Sequence, residues 1–138
     1  MKFALVLLLS LITFAVPTAA DPFQPNSKPG KELLDLTEER INQKSNSSYY
    51  QKITKFIDGT IGAGDLLWFA KFRIEMADTN CLKSRKDCKT AAKVTTKKRH
   101  YYKVEIDVVP PRIQRSQVYF EPIPKPDVSG KSTTISIS

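Results

Sequence analysis

Two short stretches constrain the fold more than anything else in the chain. In "LLWFAKFRIEM" (66–76), Leu66, Trp68, Ala70, Phe72, Ile74 and Met76 fall on one face, and Lys71, Arg73 and Glu75 on the other. "YYKVEIDVV" (101–109) repeats the pattern, with Tyr102, Val104, Ile106 and Val108 against Lys103, Glu105 and Asp107. A period of two means an extended strand with one buried and one solvated face, the mark of an antiparallel sheet. "YYQKITKFI" (49–57) and "RIQRSQVYFEPI" (112–123) are weaker strand candidates, the second stopped by Pro122 and Pro124. Ahead of them, residues 31–44 ("KELLDLTEERINQK") are rich in helix formers, with Leu33, Leu34 and Ile41 on one side and Glu38, Glu39 and Arg40 elsewhere. One helix followed by four or five strands predicts an α+β domain with the helix packed across the apolar face of an antiparallel meander. Trp68, Phe72, Ile74, Val104 and Ile106 are its expected core. A register with Lys71 and Arg73 inside would reverse that reading.

The rest of the chain divides around this domain. Residues 1–20 carry Lys2, an apolar run and then small residues before Asp21, the pattern of a signal peptide cut after Ala20. The run is too short for a membrane span. Residues 21–29 read as a flexible N-terminal segment, 30–123 as the domain and 124–138 as a disordered tail. Asn46-Ser47-Ser48 is an N-glycosylation sequon, placed where "SNSS" breaks the helix. Cys81 and Cys88 are the only cysteines, and in an exported chain their default state is a disulfide. Three glycines, at 59, 62 and 64, mark a hairpin turn between the first two strands.

Catalysis finds little support. The one histidine, His100, follows "KKR" and reads as solvated; Glu38 and Glu39 diverge as helix neighbours; "GTIGAG" lacks the Lys-Ser/Thr and helix start of a phosphate loop. Nothing completes a metal-ligand set or implies a cofactor. Charge is the more informative property, because residues 83–99 hold eight basic side chains against Asp87. As a solvated loop this run needs no function. As a patch of Lys83, Arg85, Lys86, Lys89, Lys97, Lys98 and Arg99 it would take heparin-like polyanions, acidic membranes or microbial surfaces. An exported protein seldom meets nucleic acid.

The ordered pieces resemble the cystatin family over roughly residues 30–122. The resemblance is carried by "INQKSNSSYY" (41–50), by "ADTNC" (77–81) leading into a short disulfide loop, and above all by "VVPPRIQRSQV" (108–118). It implies a cystatin-like fold and a secreted, monomeric, reversible inhibitor of papain-like cysteine proteases. Such inhibitors act through a glycine-bearing N-terminal segment, a first loop of pattern Gln-x-Val-x-Gly and a second loop with Pro-Trp. Here the best first-loop frame is Thr60-Ile61-Gly62-Ala63-Gly64, which keeps only the last glycine; the second loop keeps Pro110 and has Pro111 in place of the tryptophan. Gly30 stands nearer the helix than the family's glycine, and no cysteine follows Cys88 to form the second disulfide common in secreted members. The alternative is a non-inhibitory scaffold of the same fold that binds polyanions through the basic segment. The tail, "PDVSGKSTTISIS" (126–138), is not a cationic amphipathic peptide and so does not fit a peptide-releasing precursor.

Overall fold

The computed structural model describes residues 21–63 and 68–127. The signal peptide read at 1–20 and most of the tail lie outside them. Strand β1 (Asp21–Pro22) is followed by helix α1 (Lys28–Lys44), β2 (Tyr49–Ala63), β3 (Trp68–Leu82), a single helical turn α2 (Cys88–Ala91), β4 (Val94–Val108), a 3-10 turn (Ile113–Arg115) and β5 (Gln117–Ile123). The strands form one antiparallel sheet in chain order, β1-β2-β3-β4-β5. Pro122 is accommodated because β5 is an edge strand, where a missing N–H can be spared.

The register follows the alternation. Ala70 pairs with Ile106, Phe72 with Val104 and Ile74 with Tyr102. Their side chains share a face and, with Met76, Ile53, Phe56 and Val108, pack against Leu33, Leu34, Leu36 and Ile41 of α1. Lys71 and Arg73 face outward, Arg73 in a two-point ion pair with Asp58 of β2.

Helix α1 begins three residues earlier than the sequence predicts. Ser27 is its N-cap, its Oγ accepting from the Gly30 N–H at 3.1 Å, and Pro29 sits in the first turn, where its absent N–H breaks no helical bond. A breaker in the middle of a helix is thus a starter at its beginning. The lead-in is also more ordered than expected. Phe23 is buried, its ring 5.1 Å from Phe56 and 5.0 Å from Phe72, and its N–H donates to the Gly59 carbonyl. The polar composition of 21–29 hid one aromatic anchor.

Four further expectations are corrected. Trp68 is not core but 48% exposed: alternation sets which face a side chain takes, not whether the helix reaches far enough to cover it. Glu38 is buried and ties α1 to β2, its Oε1 accepting from the Ile53 N–H at 2.9 Å and its Oε2 from the Tyr50 hydroxyl at 2.6 Å. Glu75, on the outer face, is buried by Thr54 Oγ1 at 2.8 Å and Arg99 Nε at 3.3 Å. His100 is half-buried with Nε2 3.3 Å from Asp78 Oδ1, because β4 carries it into the sheet rather than into solvent.

Candidate functional site

One end of the sheet gathers three separate segments. Asp21 pairs with Ile61 and Pro22 with Thr60, placing β1 beside the end of β2. Ala63 pairs with Trp68, and Trp68 in turn with Val108 on β4. From Val108 the chain enters the connection to β5, where Pro110 and Pro111 are exposed and joined by a cis peptide bond. That connection is held from within, since Ser116 is buried and its Oγ accepts from the Val109 N–H at 3.0 Å. The 3-10 turn is held from outside by Arg40, which donates to the Gln114 carbonyl at 3.0 Å. The prolines are therefore carried on a braced loop.

The glycine-rich stretch is placed differently from its sequence reading. Thr60, Ile61, Gly62 and Ala63 lie in β2, paired with Lys71, Ala70, Phe69 and Trp68, so these four form strand and not turn; Gly64 lies outside the described residues. Gly59 and Gly62 serve close packing across the sheet rather than turning. A Cβ on Gly59 would stand 2.4 Å from Phe72 Cβ, and one on Gly62 would stand 2.5 Å from Phe69 Cζ. Each glycine faces an aromatic partner in the β2–β3 register, and the ring occupies the space that a side chain would take.

Trp68 is the residue of this end that sequence reasoning missed. The signal was present in its position, one residue past "DLL" and at the start of the strand, but in-phase alternation pointed to the core. It stands exposed between Ala63 and Val108, far along the chain from both prolines yet paired with the last residue of the strand that leads into them.

The other predicted residues lie at the opposite end. Cys81 and Cys88 form a disulfide, buried with Ala92 against Tyr50. Lys83 donates from Nζ to the Ser45 carbonyl at 2.9 Å, and partial desolvation lowers its pKa against the opposing pull of Asp78. Arg85 pairs with Asp87, Arg99 with Glu75, and Lys89 approaches Asp35 at 3.9 Å. Lys86, Lys97 and Lys98 are exposed, as is Asn46 in the turn between α1 and β2. The fold thus separates the two candidate sites to the two ends of β3. No helix among the described residues is long and apolar enough to cross a membrane.

A single long helix laid across a five-stranded antiparallel meander, with the N-terminal strand, the end of β2 and the Pro110-Pro111 connection at one end, is the cystatin fold. Among solved structures, dimeric human cystatin F matches with a TM-score of 0.62 at 14% identity, over 79% of this chain and 90% of that one. Al-CPI matches at 0.63 and 16%, over 77% and 100%. A salivary cystatin from the soft tick Ornithodoros moubata matches at 0.61 and 12%, over 78% and 99%. No protein-family model matches the chain, and no curated protein matches it by sequence.

Proposed function

We propose that this protein is a secreted inhibitor of papain-like cysteine proteases, acting as a reversible, non-covalent wedge in the active-site cleft. The observation that carries the reading is the convergence of β1, the β2–β3 hairpin and the Pro110-Pro111 loop on one end of the sheet. Nothing described at that end offers a nucleophile, so the available mechanism is complementarity of backbone and apolar surface, which blocks the cleft without chemistry. The disulfide supports an oxidising, extracellular setting.

In this reading Trp68 supplies the aromatic anchor that Pro111 does not. An exposed tryptophan paired with the strand end that leads into the Pro110-Pro111 loop is suited to filling a pocket of the partner, and such anchors dominate interface energies. The test is competitive titration of papain and of a lysosomal cathepsin. The parent chain is expected to inhibit at micromolar concentration or better. Trp68→Ala should weaken inhibition by about thirtyfold, corresponding to roughly 2 kcal/mol. Pro111→Trp should tighten it, by roughly 1 to 2 kcal/mol of added apolar burial. If neither the parent nor Pro111→Trp slows either protease, the inhibitor reading falls.

A further inference from the structure

The end of the sheet away from the wedge is both basic and apolar. Of the five large hydrophobic side chains exposed among the described residues, three are there: Tyr49 (45%), Leu82 (45%) and Val94 (37%). Tyr49 pairs directly with Leu82, so the two share a face; Val94 pairs with Thr79, three residues before Leu82, and so stands at the same end of the sheet on the other face. Lysines adjoin them in the chain, Lys83 after Leu82 and Lys93 before Val94.

A second feature pushes charge outward from the same end. Ala77 pairs with Arg99 and Thr79 with Val94, so Thr95, Thr96, Lys97 and Lys98 all stand against the single residue Asp78. The bulge is closed by Arg99, whose Nη1 donates to the Thr96 carbonyl at 2.6 Å. Thr95 to Lys98 are all exposed. Among the described residues, Lys86, Lys93, Lys97 and Lys98 have no ion-pair partner. Four lysines without ion-pair partners thus lie at the same end of the sheet as the exposed Tyr49–Leu82 pair.

We propose that this end docks on an anionic lipid bilayer, with Tyr49 and Leu82 at headgroup level and the free lysines on the lipid phosphates. A polybasic surface gains from the negative potential of such a membrane, and apolar side chains add an insertion term that needs no spanning segment. A sulfated glycan would use the lysines but leave the apolar side chains without a purpose. Nucleic acid would need aromatic stacking surfaces, and Tyr49 is the one exposed aromatic in the cluster. The proposal goes beyond protease inhibition and is independent of it. At about 3.3 Å per residue, the strand from Trp68 to Leu82 holds the two ends roughly 45 Å apart.

The experiment is co-sedimentation of the protein with vesicles of phosphatidylcholine alone and of phosphatidylcholine with phosphatidylserine, at about 0.1 M and about 0.5 M salt. Protein made without glycosylation is used, because Asn46 is exposed in the adjoining turn. Heparin binding is measured in parallel. Binding to the anionic vesicles only, weakened by salt, is expected. Lys97→Ala with Lys98→Ala should cut it about thirtyfold, at about fivefold per lysine near the surface. Leu82→Ser should reduce vesicle binding several-fold and leave heparin binding unchanged. Absence of binding to anionic vesicles overturns the proposal, and so does vesicle binding that Leu82→Ser does not alter. Tight heparin binding without vesicle binding assigns the surface to a sulfated glycan instead.

Discussion

Glu38 and Tyr50 show how a polar pair can hold a small core together. Burial raises the pKa of Glu38 above its ordinary value, and the hydrogen bonds from Tyr50 and Ile53 pull it back only in part. The folded state therefore holds the Glu38 proton more firmly than the unfolded chain does. By linkage, this residue's contribution to stability is greatest in acid and declines as pH rises from about 4.5, the ordinary carboxyl value, through the raised folded value. Tyr50→Phe removes a donor to the carboxylate and raises that pKa further. It should cost about 1 to 3 kcal/mol, and more at pH 7 than at pH 5, as urea denaturation at the two pH values would show. A loss independent of pH would mean that Glu38 is not the group in question. The glycines make a second prediction at this scale. A methyl on Gly59 meets Phe72 Cβ and the Lys71 carbonyl at 2.8 Å, neither free to swing away, whereas a methyl on Gly62 meets the far end of the Phe69 ring. Gly59→Ala should thus destabilise by roughly 1 to 3 kcal/mol and Gly62→Ala by clearly less, read from denaturation midpoints.

At the scale of elements, α1 does more than cover the sheet. Asn42 uses both atoms of its amide on β2: its Oδ1 accepts from the Gln51 N–H at 2.7 Å and its Nδ2 donates to the Gln51 carbonyl at 2.8 Å. Glu38 takes the next outward N–H, that of Ile53. Two helix side chains thereby stand where a neighbouring strand would be. Asn42→Ala should leave a buried N–H and a carbonyl unmet, costing about 2 to 4 kcal/mol, and should raise light scattering on heating as the strand edge opens. Unchanged scattering would show that the edge is guarded by something else. None of this was legible in "ERINQK", where Asn42 reads as one more polar residue. Period-two alternation was enough to place β3, β4 and their shared face, because burial on one side leaves its mark on every second residue. It could not locate the end of β2, since glycines that accommodate Phe69 and Phe72 look the same in sequence as glycines that turn. The exposure of Trp68 and the burial of Phe23 both depend on how far α1 and the lead-in extend over the sheet, which no local pattern encodes.

For the molecule as a whole, β3 is the axis along which the parts are distributed. The Cys81–Cys88 bridge lies at its far end from Trp68. Reducing it should lower stability by about 2 to 3 kcal/mol, the chain-entropy estimate for so short a loop. Under the proposed inhibitor reading, the inhibition constant for papain should stay the same wherever the reduced protein remains folded; a parallel loss of inhibition would show that the two ends are coupled. The two sides of the sheet are as unequal as its two ends. On the β2 side the outward backbone groups are engaged at Gln51 and Ile53 by α1, at Gly59 by Phe23, and at Thr60 and Ile61 by β1. On the other side, among the described residues, β5 has no strand beyond it. With β2's outward groups largely engaged and β1 only two residues long, β5 offers the longer open edge; joining two copies along it would cover that edge in both, giving a capped pair and not the first step of a fibre.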